Sequence, residues 1–204
     1  MYFDDPRSGL NDIVILEPKF ITQLLSTVIT TKHRFIKDGI FLHKDVEQIW
    51  RDHNKYPPNL HSTFMTLMER FEIMLNLDSK SRTDSSIDIN GRSLVPSLLS
   101  DKEPAAFVTF WLPKPSEMYL YRVIRLQYIP AGLFSRLMIR MIKLATVVEV
   151  YWKNGIVLRS DKELICMKLN LKTRDLSYCV RGSQKLPVGI YIYKKRYFLI
   201  GIQI

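Results

Sequence analysis

The sequence predicts an α+β chain of two lobes, a winged-helix-like helical lobe followed by a lobe of β-meander and helix. Three observations carry this. Apolar residues recur at i, i+3 and i+4 early in the chain, they alternate with period two from about residue 118, and the charge changes sign near the same point. Residues 1–118 hold 14 Lys+Arg and 16 Asp+Glu, a net of −2, whereas residues 119–204 hold 16 and 4, a net of +12. The division is drawn at 1–117 and 118–204. With 204 residues, 47% of them hydrophobic, the chain can fill one core or two small ones.

Each element has a local reason. Ile13–Leu16 reads as a short strand, and Glu17-Pro18 then places proline in the first turn of a helix carrying Phe20, Ile21, Leu24, Leu25 and Val28 on one stripe. Asp38-Gly39 is a turn, and Val46, Ile49 and Trp50 give a helix from about Lys44 to His53. Tyr56-Pro57-Pro58-Asn59 breaks the chain and offers Asn59 as N-cap of a third helix with Leu60, Phe64, Leu67, Met68 and Phe71 inward. Glu72–Leu77 pairs with Ser93–Leu99 across a polar loop, which serves as the wing. Ala106–Leu112 and Met118–Ile129 read as strands, and Pro130-Ala131-Gly132 opens a helix with Leu133, Phe134, Leu137, Met138, Met141 and Leu144 inward. Val147–Trp152 and Ile156–Arg159 flank Asn154-Gly155, a type I′ hairpin signal. Glu163–Leu171 and Leu176–Arg181 continue the meander, and 183–204 has no clear reading.

Chemistry is sparse. There is no phosphate-binding glycine loop, H-E-x-x-H, C-x-x-C or G-x-S-x-G. His33, His43, His53 and His61 fall at spacings that pair no two on one helix face, and they read as surface or capping residues. Asp4-Asp5 reads as a solvated turn. Cys166 and Cys179 read as buried free thiols of a reducing compartment. The N-terminus lacks a signal-peptide pattern and no apolar run reaches the ~20 residues of a membrane span, so a soluble cytoplasmic protein is expected. No metal, cofactor or catalytic residue is expected. Lys153, Arg159, Lys162, Lys168, Lys172, Arg174 and Arg181 form either a solvated sheet face or a surface for an acidic partner. Lys194-Lys195-Arg196 is a weak membrane-surface signal, and no membrane binding is expected. The alternative function is nucleic-acid binding by a winged helix, its third helix presenting His61, Ser62, Thr63, Thr66, Glu69 and Arg70. One arginine beside one glutamate is a poor phosphate-contacting face, so no nucleic-acid partner is expected.

Six stretches in order, YFDDPRSGLNDIVILEPKF (2–20), KDGIFLHKDVEQIW (37–50), LMERFEIML (67–75), SLVPSLLSD (93–101), YIPAGLFSRL (128–137) and YWKNGIVL (151–158), resemble the COR domain that follows the Ras-like Roc GTPase in Roco proteins, the leucine-rich-repeat kinases included. The resemblance spans roughly residues 2–181. It implies a winged-helix-like COR-A lobe and the start of a β-rich COR-B lobe, without chemistry of its own. It also implies packing on a Roc domain of the same parent chain, dimer contacts through the second lobe, and coupling of nucleotide state to neighbouring domains. GTP and magnesium would bind the Roc domain. Carried over by position, Tyr121, Arg122, Ile124, Tyr128, Phe134, Ser135 and Arg136 lie in the Roc-facing region. The family's second lobe is longer than this one, so the chain reads as truncated within COR-B, with exposed strand edges expected.

Overall fold

The computed structural model describes residues 16–30, 34–78, 87–112, 117–160 and 163–182. Helix α1 (Pro18–Ile29) starts at its proline, where a missing N–H costs nothing. It buries Ile21, Leu24 and Val28, each worth about 1.5–3 kcal/mol relative to exposure. Of the predicted strand Ile13–Leu16, residues 13–15 lie outside the described residues, and Leu16 is exposed and irregular. Asp38 and Gly39 have φ of 48° and 73°, the positive pair that a tight hairpin turn requires. They join β1 (Ile36–Lys37) to β2 (Ile40–Leu42). Strands this short show no period, so the sequence marks the turn and not the hairpin.

The second predicted helix is shorter than Lys44–His53. A 3-10 turn at His43–Asp45 leads into α2 (Val46–Ile49). Trp50 ends it: the fully buried indole donates Nε1–H to Thr27 Oγ1 at 2.9 Å, fastening this turn to α1. Asn59 does not cap the third helix. It sits inside a 3-10 turn, Pro58–Leu60, and α3 (His61–Arg70) begins beyond it without a side-chain cap. At its other end α3 closes with paired backbone bonds, Ile73 N–H to Met68 C=O at 3.0 Å and Glu72 N–H to Glu69 C=O at 3.1 Å. β3 (Leu75–Asn76) and β4 (Arg92–Leu94) pair antiparallel, Leu75 opposite Leu94. They stop well inside the predicted Glu72–Leu77 and Ser93–Leu99 because a 3-10 turn at Pro96–Leu98 takes over. The four short strands form one sheet, β1-β2-β4-β3. Positions 79–86 of the predicted wing lie outside the described residues.

Ala106–Leu112 is not a strand. Its Phe-Val-Thr-Phe-Trp run has β-favouring composition, but the segment forms helix α4 (Ala106–Trp111). Pro104 accepts the first bond, from Phe107 N–H at 2.9 Å, and a helix lets Phe107 and Trp111 lie over the face of the second sheet. Tertiary packing here overrides a weak local preference. That sheet contains β5 (Met118–Arg125), β6 (Val147–Trp152), β7 (Gly155–Ser160), β8 (Glu163–Asn170) and β9 (Asp175–Gly182) in the order β5-β9-β8-β7-β6, antiparallel throughout. The hairpin at Asn154 is not type I′. Positive φ outside glycine occurs, among the described residues, at Asp38, Glu72 and Arg174. Gly155 serves close packing instead, pairing with Trp152 at the first rung, where a Cβ would lie 1.9 Å from the indole ring.

Helix α5 (Leu133–Leu144) covers one sheet face, burying Phe134, Leu137, Met138 and Met141 against Ile156, Leu158, Met167, Leu169 and Leu176. Leu94 and Leu99 from the first lobe enter this same core. A separate first-lobe core gathers α1, α2 and α3 around Phe41, Trp50 and Met68. The opposite sheet face is covered by α4, whose Phe107 meets Trp152 at 5.4 Å above Val157, Leu164 and Cys166. Pro130, at the start of the turn into α5, is exposed. Residues 183–204 lie outside the described residues.

Candidate partner-binding surface

β5 is an outer strand, and α4 covers the sheet chiefly at its other side. Period-two alternation therefore leaves Tyr119, Tyr121 and Val123 standing out from the α4 face, 71%, 54% and 46% exposed. Leu126 N–H donates to Arg174 C=O at 2.9 Å, so even-numbered residues of β5 aim their backbone groups at β9 and odd-numbered ones at the open edge. On that edge the Arg122 guanidinium folds back and donates to the Tyr121 carbonyl at 3.0 Å. A groove of about 540 Å³ continues from Tyr121 and Val123 toward Trp152, Lys168, Asp101 and Glu103.

The structure divides the seven residues that the resemblance assigns to the Roc-facing region. Tyr121, Arg122, Tyr128 and Arg136 are exposed, Tyr128 at 66%. Tyr121 lies on the α4 face, while Arg122 shares the face of Ile124. Ile124 is half-buried against the α5 core, and Phe134 is buried within it. Ser135 is half-buried in the first turn of α5, beside exposed Arg136. Tyr128 and Arg136 flank the corner where β5 gives way to α5. Arg174, φ 59°, holds that corner by donating to the Gln127 carbonyl at 2.6 Å. The seven therefore form two surface patches and a pair of packing residues. Tyr119 and Val123 are the exposed neighbours that strict alternation from Tyr121 would have added.

The basic face finds much of its acidic partner within the chain. Lys153 pairs with Asp101 at 3.6 Å, Lys168 with Glu103 at 2.6 Å, Arg159 with Glu149 at 2.6 Å, and Arg181 with Glu117 at 2.8 Å. Arg181, 5% exposed, also lies over the Trp111 ring and donates to the Trp111 and Leu112 carbonyls. Lys168 sits 3.7 Å from the Phe107 ring centre. The acids at 101, 103 and 117 precede β5, so counting charge by halves conceals that they lie against the second sheet. Lys162 and Lys194–Arg196 lie outside the described residues.

The histidines also differ from expectation. His43 and His61 are each 3% exposed. His43 bridges the Asp88 carbonyl at 3.0 Å and Ser93 Oγ at 2.8 Å. A carbonyl only accepts, so Nδ1 is the donor, and in the neutral ring Nε2 accepts from the serine. His61 Nε2 donates to the Tyr56 carbonyl at 3.0 Å. His53 is exposed, and His33, like Asp4-Asp5, lies outside the described residues. Within α3 only Arg70 is exposed, so the predicted outward row is largely packed. Cys166 and Cys179 are free thiols facing each other across β8 and β9. Cys166 is buried and Cys179 half-buried, and burial pushes the Cys166 pKa up to about 12. Among the described residues, no three His, Cys, Asp or Glu side chains stand together as a metal site, and no helix is long and apolar enough to cross a membrane.

An α+β chain of two lobes with an open outer strand is thus the class defined by the fold and the surface. Residues 1–99 match the COR-A domain, described as C-terminal of Roc, and residues 117–197 match the COR-B domain. The chain belongs to the COR domains of the Roco family. Proteins of Dictyostelium discoideum to which it is similar include the following three. The probable serine/threonine-protein kinase pats1 is 43% identical over 176 residues, 85% of this chain and 5% of that protein. The probable serine/threonine-protein kinase roco11 is 28% identical over 190 residues, 86% of this chain and 12% of that protein. The probable serine/threonine-protein kinase qkgA is 30% identical over 169 residues, 78% of this chain and 10% of that protein. The chain spans about a tenth or less of these relatives' lengths.

Proposed function

We propose that this chain is a noncatalytic dimerisation and coupling module of a Roco protein in the cytoplasm. It packs on a Ras-like Roc GTPase of the same parent chain and passes the nucleotide state to neighbouring domains, a kinase among them. GTP and its magnesium are held by that GTPase and not by these lobes. The first lobe is read as winged-helix-like, because its order of helix, hairpin, two helices and hairpin follows that pattern. The observation that carries the proposal is the β5–α5 corner within the COR-B match, where Tyr128 and Arg136 stand exposed beside a sheet whose other basic groups are largely engaged. Arginine and tyrosine are, with tryptophan, the side chains enriched at binding hot spots.

The test is binding of the chain to a separately produced Roc domain. Arg136→Glu and Tyr128→Ala each weaken it at least tenfold while backbone exchange in the first lobe stays unchanged. Unaltered affinity in both variants would remove the corner from the interface. Phe134→Ala is not a usable probe, since Phe134 is 5% exposed and its loss opens the core. The nucleic-acid reading is weakened by α3, where Arg70 is the one exposed residue, Ser62, Thr63, Thr66 and Glu69 are half-buried and His61 is buried. Steeply salt-dependent DNA binding by the chain would revive it.

A further inference from the structure

Lobe packing depends on more than shared apolar residues. From the middle of α5, Arg140 donates Nε and Nη2 to the two carboxylate oxygens of Glu72, at 2.7 and 3.0 Å. Glu72 belongs to the first lobe and Arg140 to the second. The Arg140 pKa is raised by this hydrogen bond. A fork-on-fork pair fixes direction as well as distance, so it constrains how α5 lies across the end of α3.

The backbone beneath Glu72 supplies a second, independent observation. The bonds from Ile73 to Met68 and from Glu72 to Glu69 are those of a Schellman helix end, with Glu72 at the position normally held by glycine. Its φ is 55°, a left-handed conformation costly for a residue with a Cβ. Helix closure alone is better served by glycine there. The carboxylate at that position is instead used by Arg140, and the rigid helix end aims it. Around the pair, α5 rests on the 3-10 turn Pro96–Leu98, and Leu94 and Leu99 enter the α5 core.

We propose that Glu72 and Arg140 form a latch that sets the orientation of the helical lobe on the sheet lobe, with α5 as the lever between them. Arg136 lies four residues, ~6 Å, toward the start of the same helix and is exposed. A partner gripping the β5–α5 corner therefore displaces both lobes together while the latch is closed. The latch stands on its own geometry, and only the identity of the gripping partner rests on the function proposed above.

The experiment measures the distance between spin labels at Gln48→Cys and Lys172→Cys, both exposed, in the full chain with Cys166→Ala and Cys179→Ala. The latched chain gives one narrow distribution. Glu72→Gly separates an orienting role from simple folding. It relieves the left-handed strain, so the first lobe melts no lower than before, yet the distribution at least doubles in width. Arg140→Glu broadens it likewise, and combining Arg140→Glu with Glu72→Arg narrows it again. A distribution equally narrow in every variant overturns the latch and assigns orientation to Leu94 and Leu99. Broadening accompanied by loss of first-lobe exchange protection also overturns it, because Glu72 would then be serving the fold. A Roc domain added to the wild-type chain reads the other proposal separately. Its failure to bind leaves the label result intact, and binding that shifts the label distance in the latched chain as much as in Glu72→Gly removes the lever.

Discussion

The helical lobe and the sheet lobe bury polar groups by different means. In the helical lobe the buried polar side chains are neutral or neutral-capable and bonded within the lobe: His43 to Asp88 and Ser93, His61 to Tyr56, and Trp50 to Thr27. In the sheet lobe the buried polar residue is Arg181, paired with Glu117 and seated over Trp111. Partly exposed ion pairs elsewhere tie Asp101 to Lys153 and Glu103 to Lys168. Neutral bonds tolerate salt, whereas ion pairs near water are screened. The two lobes therefore share a core at Leu94 and Leu99 but respond to different conditions.

The largest effects come from the anchors. Arg181→Met leaves Glu117 and two carbonyls unpartnered and costs the sheet lobe about 3–5 kcal/mol. Trp50→Ala costs the helical lobe a similar ~3–5 kcal/mol. Hydrogen exchange should localise the first to β5 and β9 and the second to α1–α3. Loss spread evenly over both lobes in each variant would erase the contrast. Next comes Gly155→Ala, expected to cost about 1–3 kcal/mol by driving Trp152 off its site, visible as changed tryptophan emission. His43→Ala falls in the same range, ~1–3 kcal/mol, because the fully buried Ser93 hydroxyl loses its partner, and should raise exchange at residues 87–93.

Thiol chemistry sharpens the contrast at smaller scale. Cys166 stays protonated through neutral pH, so a maleimide should modify Cys179 first and Cys166 only on unfolding. Because its native pKa is raised, the resulting stability is present below the unfolded thiol's ordinary value and is lost as pH rises through about 12. The smallest effect belongs to Arg125, whose hydrogen bond lowers the Asp175 pKa. The contribution is present above the ordinary carboxylate range and disappears as pH falls through the lowered value. Arg125→Ala should leave the melting temperature unchanged within error at neutral pH, since the arginine side chain is 80% exposed.

Long periodic stretches were readable in the sequence. The 18–29 helix, the 133–144 helix and the strands of the second sheet each carry enough repeats for the period to be unambiguous. What escaped had a tertiary cause. Ala106–Trp111 is helical because a finished sheet face needs a helix across it. β1 and β2 contain two and three residues, too few for a pattern. On the candidate surface, strand alternation separates Tyr121 from Ile124 and the helical period already sets Phe134 inward, but neither could show that Arg174 reaches across to the Gln127 carbonyl at the β5–α5 corner. The pairing of Asp101, Glu103 and Glu117 with lysines and arginine beyond position 150 was likewise hidden by its separation along the chain.

The hydrogen bond from Arg122 to the carbonyl of its own neighbour has a consequence for how this molecule behaves in a crowd. An unguarded outermost strand is a template, and copies of the chain would extend one another's sheets without any specific recognition. Here the docking row is stoppered by a charged side chain that must be evicted before an incoming backbone can register. Two copies meeting edge to edge each bring such a stopper, and the like charges repel, so indiscriminate stacking is checked at first contact.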